Sequence, residues 1–316
     1  MTGKDDPMGP TLRTRLIKHR SIWIASIGLF IILGTCLLAP WIIEHGYDQA
    51  DLNLGPTPPS LSSGHYLGTD QLGRDLLARM LYGGRLSLLV AIVATLVSLS
   101  IGVPYGAVAG YVGGSVDNFM MRIVDVLYCL PYMFLVIMLM ALFGDPMVAE
   151  SIVQFMQLEP DGALAVWLRG PGLRFVLLFM ALGAVSWLTT ARLVRGQVLS
   201  LKASMFVQAA QALGLSRRAI LWRHIIPHTM GVAIVYATLT VPAVMLQEAF
   251  ISFLGLGIQP PQASWGSLIH DGVQMMAVAP WLLIFPGLML ALTLFLFNLL
   301  GDGLRDALGV TDESLL

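Results

Sequence analysis

Apolar residues in this chain are gathered into blocks of about twenty, and this pattern limits the possible folds most. A helix needs about twenty apolar residues to cross a hydrocarbon core of about 30 Å. It also satisfies the backbone hydrogen bonds that lipid cannot. Only 12% of the residues are charged, against about 25% in soluble domains. The sequence predicts an all-α integral membrane protein with six transmembrane helices. The blocks lie at residues 21–43, 86–109, 123–144, 174–194, 230–256 and 281–301.

The distribution of Lys and Arg predicts how the spans are oriented, because cytoplasmic loops are enriched in these residues. With the N-terminus placed inside, most of the 18 Lys and Arg fall on the inner side. The outer side holds Arg74, Arg79, Arg85, Arg169 and Arg174. We therefore expect both termini to be cytoplasmic. The block at 21–43 is too long for the apolar core of a signal peptide, so we interpret it as an uncleaved span.

Several classes of site are not expected. The formal net charge of −1 gives no indication of a nucleic-acid partner. Cys36 and Cys129 both lie in apolar blocks, where a buried thiol acts as a small hydrophobe. His224 and His228 have a spacing seen in metal-binding helices, but Pro227 lies between them and no carboxylate or Cys completes a ligand set. We predict no metal site and no catalytic residues.

The loop at about 196–229 carries the most informative local pattern. Met205, Ala209, Ala212 and Leu213 share one face of a predicted helix over about 201–213. Gly214 follows at the position where a helix end commonly takes a left-handed residue. The pattern predicts a short helix that ends in a sharp, glycine-dependent turn.

A second short helix is predicted directly after this turn. Ser216 is a good N-cap, Ile220 and Trp222 continue the pattern, and Pro227 marks the expected end. Two short helices joined at a fixed angle serve either internal packing or docking of another protein. Ala209 and Ala210 would let a partner approach closely.

The loop resembles a known signature. Residues 208–210, Gly214 and residues 225–227 match the spacing of the EAA motif of importer-type ABC permease subunits. Gln208 stands where that motif has Glu, and Ile226 stands where it has Leu. Gln keeps an acceptor but removes the charge, so a specific ion pair at this position is not expected. The residues to which the resemblance assigns coupling to an ATPase are Gln208, Ala209, Ala210, Gly214, Leu215, Ile225 and Pro227.

Further segments resemble the peptide/nickel permease family, specifically its C-type subunit. They occur in family order over about residues 65–309, and the segment 145–173 looks longer than usual for the family. The matching strings are residues 65–75, 110–117, 248–261, 264–266 and 298–306. We divide the chain into residues 1–64 (tail, first span and start of the outer loop), 65–309 (permease domain with five helices) and 310–316 (C-terminal tail).

The resemblance implies a type I ABC importer permease fold and a channel-forming subunit for di- or oligopeptides in a bacterial inner membrane. No G-x-x-x-x-G-K-[ST] phosphate loop occurs in the sequence. ATP would therefore be bound by partner subunits, and no cofactor is expected on this chain. The implied partners are a second permease subunit, two cytoplasmic ATPase subunits, an extracytoplasmic substrate-binding protein and the lipid membrane.

Glu248 is the candidate for a pore or gate, because a carboxylate within an apolar block is costly and often functional. The alternative is that Glu248 lies near a helix end and reaches polar surroundings. Phe250 and Phe253 lie nearby and serve either the pore or packing.

Other residues favour structural roles. Arg122 and Asp125 are spaced to pair on one helix face, as are Asp70 with Arg74 and Asp75 with Arg79. For Arg122 and Asp125 we expect an anchor at the inner membrane boundary. For the two loop pairs we expect ordinary surface pairs, worth under about 1 kcal/mol each, and the resemblance implies that their loop helps to shape the outer mouth.

The long outer segment and two prolines complete the pattern. Val148, Ile152, Phe155 and Met156 share one face, which predicts an amphipathic helix on the outer surface within residues 145–173. Pro104 and Pro131 are expected to kink spans two and three.

Two other functional classes fit the sequence less well. An ion-driven transporter would favour repeated halves with broken helices and several buried charges, and the sequence shows neither. A membrane enzyme would need convergent His, Asp, Glu or Ser residues, whereas the 6 His are scattered and mostly in loops. An ATPase bound at 196–229 would distinguish these classes from an ATP-driven importer.

Overall fold

A computed structural model describes residues 19–43, 45–143, 145–159 and 161–308, and within these ranges the chain is helical without a β-strand. One isolated antiparallel bridge pairs Thr69 with Asp75. Expectations for residues 1–18 and 309–316, including most of both tails, lie outside the described residues. The helices are α1 (Arg20–Ile42), α2 (Leu76–Val112), α3 (Gly114–Cys129), α4 (Tyr132–Phe143), α5 (Pro146–Phe155), α6 (Ala163–Trp167), α7 (Leu173–Lys202), α8 (Met205–Ala212), α9 (Arg217–Ile220), α10 (Ile226–Phe253), α11 (Trp265–Gln274) and α12 (Trp281–Leu308). A π-helical turn over Leu168–Gly172 leads into α7, and another over Leu221–Ile225 joins α9 to α10.

In the described part of the chain, five helices are long and apolar enough to cross a membrane, and a bent pair makes a sixth. The five are α1, α2, α7, α12 and the continuous helical stretch Arg217–Phe253. The bent pair is α3 and α4, which meet at 76°. Pro131 lies at this break, as the predicted kink requires, whereas α2 continues through Pro104 without a break. The predicted all-α fold with up to six spans is confirmed.

The start of α2 differs from the apolar pattern. The predicted apolar block begins at residue 86, but α2 begins ten residues earlier, at Leu76. The Asp75 carboxylate accepts a hydrogen bond from the Ala78 N–H at 2.8 Å and so caps the helix. At 37 residues, α2 is about 55 Å long. A helix start is set here by its capping residue rather than by the edge of the apolar block.

A buried ionic cluster holds the loop between α1 and α2 against the start of α2. The Asp70 carboxylate accepts from Arg74 Nε at 2.7 Å and from an Arg79 guanidinium nitrogen at 2.6 Å. The same Arg79 nitrogen lies 3.5 Å from Asp271 of α11. The predicted Asp75–Arg79 pair is wrong, because Asp75 caps α2 and contacts His65 at 3.0 Å. Asp70 and Arg79 are buried, so this is not an ordinary surface pair.

Helices α3 and α7 are joined by ion pairs that the local spacing did not predict. Asp125 accepts from Arg192 at 2.6 Å, so the expected pairing of Asp125 with Arg122 is wrong. Asp117 accepts two hydrogen bonds from Arg195, at 2.6 and 2.7 Å. These carboxylates find cations on a neighbouring helix, which sequence separation cannot show.

The predicted helix within residues 145–173 is present as α5, but its buried face is different. Ala149 and Val153 are buried against α6 and the start of α7, whereas Phe155 and Met156 are exposed. Val148 and Ile152 are partly buried in the same contact. A different face of α5 is buried because α5 packs against α6 and the start of α7, which follow it in the chain. A hydrogen bond from Arg169 to Glu150 fastens the two parts and lowers the pKa of the Glu150 carboxyl.

Helix α2 packs most extensively against α7, and glycine allows the two backbones to touch. Gly102, Gly106 and Gly110 repeat every four residues and therefore lie on one face of α2. A methyl group at Gly106 would lie 2.2 Å from the carbonyl oxygen of Ala191. Small residues at this spacing let membrane helices associate by close van der Waals contact. We did not predict this repeat, although its spacing is visible in the sequence.

We predict opposite effects for two identical substitutions. Gly106→Ala should lower the stability of the purified protein by about 1–3 kcal/mol, because the methyl group overlaps the α7 backbone. Gly231→Ala in α10 should be neutral or stabilising, since no heavy atom lies within 4 Å of the added group and Ala favours a helix over Gly by about 1 kcal/mol. Thermal unfolding in detergent measures both. Equal melting temperatures for the two variants would contradict the proposed contact.

Candidate coupling surface

The turn between α8 and α9 has the geometry that the sequence predicted. Gly214 has φ +77°. The Leu215 N–H donates to the Ala210 carbonyl at 3.2 Å, and the Gly214 N–H donates to the Gln211 carbonyl at 3.0 Å. This pair of bonds closes the helix end in a Schellman motif. No heavy atom lies within 4 Å of an added Cβ at Gly214, so its backbone conformation, not lack of space, favours glycine.

The chain does not leave the helical conformation after α9, so the predicted end at Pro227 is wrong. Ser216 caps α9 by accepting from the Ala219 N–H at 3.3 Å. In the π-helical turn that follows, the Ile226 N–H donates to the Leu221 carbonyl, five residues back. Pro227 lies in the first turn of α10, where a missing N–H is tolerated. Residues 205–225, called here the coupling segment after their predicted role, therefore run directly into a membrane span.

Residues 205–225 are attached to the ends of α2 and α7 by a compact group of apolar side chains, called here the seat cluster. Val207 and Ala210 of α8 contribute to it, as does Tyr111 near the end of α2. Its buried members are Val103, Ala107, Tyr111, Val194, Val198, Val207, Ala210, Ile220, Leu221, Ile225 and Ala233. This burial fixes the position of α8 and the turn against two long helices.

The opposite side of α8 is apolar and exposed. Met205 is 88% exposed and Leu213 is 80% exposed, and Ala209 and Ala212 are exposed between them. These four residues are called here the α8 face. Trp222 beyond the turn is also exposed. An apolar patch of this kind marks a surface for another protein or for lipid.

The seven residues predicted to couple do not share one surface. Gln208, Ala209, Gly214 and Pro227 are exposed, Leu215 is half-buried, and Ala210 and Ile225 lie in the seat cluster. Ala209 and Ala210 cannot both face a partner, because successive helical residues point about 100° apart. Gln208 donates from its side-chain amide to the Ala203 carbonyl at 3.1 Å. The predicted set thus divides into a surface layer of exposed residues and a supporting layer of residues that pack in or against the seat cluster.

The Glu248 side chain is buried inside the protein, whereas Phe250 is exposed. Glu248 is 1% exposed, and its carboxylate accepts from Ser252 at 2.6 Å and from Ser87 at 3.3 Å. The Trp265 N–H donates to the Ser87 hydroxyl at 3.1 Å, so the network joins α10, α2 and α11. The alternative that Glu248 reaches a polar surface at a helix end does not hold. These contacts favour a role in holding helices together.

The two phenylalanines near Glu248 lie at the surface of the chain. Phe250 is exposed, and Phe253 packs edge-on against His270 with ring centroids 5.5 Å apart. His228 Nδ1 donates to the His224 carbonyl at 2.7 Å. Among the residues that the structure describes, no group of three His, Cys, Asp or Glu could hold a metal ion.

Comparison with known proteins shows the family of this chain. Residues 102–309 match the family described as the binding-protein-dependent transport system inner membrane component. The chain belongs to this family. The match includes α7, α10 and the coupling segment between them. The predicted resemblance to importer permeases is confirmed.

Curated proteins are similar in sequence to this chain along almost its whole length. The oligopeptide transport system permease protein OppC of Haemophilus influenzae is 44% identical over 301 residues, which cover 95% of this chain and 88% of that protein. OppC of Escherichia coli K12 is also 44% identical, over 95% of this chain and 90% of its own length. The dipeptide transport system permease protein DppC of Bacillus subtilis is 42% identical, over 93% and 83%.

The two layers of the coupling segment predict different effects for neighbouring alanines. Ala210→Phe should destabilise the protein by about 1–3 kcal/mol, because Ala210 is only 7% exposed and the ring must enter the seat cluster. Ala209→Phe should change stability by less than about 0.5 kcal/mol, since the site is open. Thermal unfolding and the amount of inserted protein measure both. Equal stability of the two variants would contradict the orientation of α8.

Proposed function

We propose that the chain is a channel-forming permease subunit of an ATP-driven importer for di- or oligopeptides. The observation that supports this most is the exposed apolar α8 face, held by the seat cluster at the end of two long helices and continuous with α10. The relatives named as oligopeptide and dipeptide permeases support a peptide substrate. The length of the match supports the same role for this chain.

The proposed partner at the α8 face is a cytoplasmic ATPase subunit. The sequence holds no phosphate loop of its own, so ATP is bound by that partner and this chain contributes no catalytic residue. Apolar side chains at the centre of a contact, surrounded by charged residues, are typical of protein interfaces. Arg217 and Arg218 lie next to the turn and supply such a charged rim.

The complete importer would contain a second permease subunit, two ATPase subunits and an extracytoplasmic binding protein. The family description names a binding-protein-dependent system, which supports the last of these. We place the chain in a bacterial inner membrane with both termini cytoplasmic, because the Lys and Arg residues concentrate on that side. The α8 face then points into the cytoplasm, where an ATPase would reach it.

The mechanism follows from the continuity of the helix. When the ATPase subunits close on ATP, they displace the α8 face. The seat cluster keeps α8 and α9 together as one unit, and the π-helical turn continues into α10. A push at the turn is therefore transmitted along the span from Arg217 to Phe253. A flexible linker at this place would absorb the movement instead.

We predict that Gly214→Val and Ala209→Trp leave the spans inserted but weaken ATPase binding and abolish peptide uptake. The first strains the turn, since a β-branched residue rarely adopts a positive φ. The second holds the two surfaces apart. Gly214→Asn should keep more activity than Gly214→Val, because Asn tolerates the left-handed conformation. Gln208→Glu should be tolerated.

The measurement combines ATPase co-purification with peptide uptake, and the abundance of the permease serves as the control. Normal ATPase binding and uptake by Gly214→Val at normal abundance would reject the turn as the point of transmission. Equal loss in Gly214→Val and Gly214→Asn would show that backbone conformation is not the cause.

A further inference from the structure

A cavity with a basic lining lies where the ends of α2 and α7 meet the coupling segment. Its volume is about 220 Å³, and it is called here the basic pocket. Lys202, Arg217 and Arg218 contribute three cations to the lining. No acidic side chain is among the described residues that line it, and Val112 and Leu221 give it an apolar side. The lining therefore combines positive charge with apolar surface.

The three cations are accessible from outside the chain. Arg217 and Arg218 are exposed, and Lys202 is half-buried as the last residue of α7. The Lys202 ammonium lies 5.9 Å from the centre of the Tyr111 ring. A Cβ added at Gly113, directly after α2, would lie 3.4 Å from the same ammonium. Lys202 thus borders the pocket beside the end of α2.

The positive charge of the basic pocket is not balanced by side chains that the structure describes. About two turns earlier on α7, Arg195 donates to Asp117 at 2.6 and 2.7 Å. In the described part of the chain, no such ion pair joins a carboxylate to any of the three pocket cations. The carboxyl ends of α2 and α7 supply about half a negative charge each, which leaves about two positive charges uncompensated. An anion in the pocket would relieve their repulsion.

The basic pocket lies away from the surface proposed for the ATPase. Gln211 borders the pocket and follows Val207 of the seat cluster by four residues, so the two lie on one side of α8. The α8 face lies on the other side. Arg217 and Arg218 are next to both the turn and the pocket, whereas Lys202 is the cation that α7 contributes to the pocket. A ligand bound there would not need to displace a partner from the α8 face.

The position of Lys202 along α7 corresponds to the level of lipid headgroups in the orientation proposed above. Lys202 follows Arg195 by seven residues, which is about 10 Å along the helix. The headgroup layer on each side of a bilayer is about 5–8 Å thick. Side chains on a helix lean toward its N-terminus, which brings the ammonium back toward the membrane. With the Arg195–Asp117 pair at the edge of the hydrocarbon core, the pocket opens at the level of the inner-leaflet phosphates.

We propose that the basic pocket binds the phosphate group of an anionic phospholipid from the inner leaflet. Basic pockets between spanning helices on the cytoplasmic side are typical sites for anionic headgroups. The three cations would contact the phosphate, and Val112 and Leu221 would contact the glycerol and the first methylene groups. A soluble phosphate ion shares the charged chemistry but cannot use the apolar side. The bound lipid would join α2, α7 and the coupling segment at one point.

The test measures lipid binding to the delipidated permease, purified with its associated subunits in a neutral detergent, by native mass spectrometry. The probes are phosphatidylglycerol, inorganic phosphate, and phosphatidylcholine, whose phosphate stands beside a positive choline. The wild type should bind phosphatidylglycerol more tightly than phosphatidylcholine. Lys202→Gln should weaken phosphatidylglycerol binding about 5-fold, the effect of one basic residue at an anionic surface, and leave phosphatidylcholine binding unchanged.

Two further substitutions separate the pocket from a general effect of charge. Arg223→Gln is the matched control, because Arg223 is an exposed cation of the coupling segment that does not line the pocket. It removes the same charge as Lys202→Gln and should keep the wild-type affinity for phosphatidylglycerol. Lys202→Arg should also keep it, which separates loss of the cation from damage to the fold.

The other outcomes identify a different ligand or reject the site. Equal phosphatidylglycerol binding by wild type and Lys202→Gln would overturn the inference, because the lipid would then bind elsewhere. Binding of inorganic phosphate that depends on Lys202, without lipid binding, would support a phosphate site but reject the membrane as its source. If neither probe binds and Lys202→Gln releases the ATPase subunit while Lys202→Arg retains it, the cation serves an acidic protein surface and the inference is wrong. Peptide uptake enters none of these measurements, so the proposed function is tested separately.

Discussion

The rest of the structure depends on the direct contact between the backbones of α2 and α7. Gly106 brings α2 so close to Ala191 that a single methyl group would overlap a carbonyl oxygen. In lipid the hydrophobic effect does not draw helices together, so close van der Waals contact must do so. The seat cluster forms where the ends of these helices lie side by side, with Tyr111 on one and Val198 on the other. Without this contact the coupling segment would have no fixed support.

A continuous helical stretch connects the α8 face to the membrane-spanning part of the protein. The Schellman turn sets the angle between α8 and α9, and the helical stretch from Arg217 to Phe253 continues without interruption. The same stretch carries Glu248 in the buried network with Ser87 and Ser252. A displacement at the α8 face would therefore be passed along one continuous helical stretch, while Glu248 and Ser87 hold that stretch against α2 and α11.

Sequence patterns predicted the features that depend on local chemistry. Blocks of apolar residues predicted the spans, because membrane thickness sets their length. The positive φ of Gly214 and the cap at Ser216 were also predicted, since turns and caps depend on a few neighbouring residues. The glycine repeat that includes Gly106 had an equally local signal, a small residue at every fourth position, and was missed.

Features that depend on which helices are neighbours were not predictable in this way. Asp125 pairs with Arg192, and the cation lies on a helix that the spacing around Asp125 cannot identify. Periodicity showed an apolar face on α8 but not which side of the helix the protein itself covers. Similarly, Glu248 could be recognised as a charge in a span, but the sequence could not show that its partner would be Ser87 on another helix.

Site-specific photo-crosslinking tests the central claim, that the α8 face receives the ATPase, most directly. A photoreactive phenylalanine would replace Leu213 in the complete importer, with Phe155 of α5 as the matched control. These residues are 80% and 88% exposed and lie on opposite sides of the proposed membrane arrangement. The account predicts a covalent adduct with the ATPase subunit from position 213 and none from position 155. No ATPase adduct from position 213, or an adduct from position 155, would contradict it.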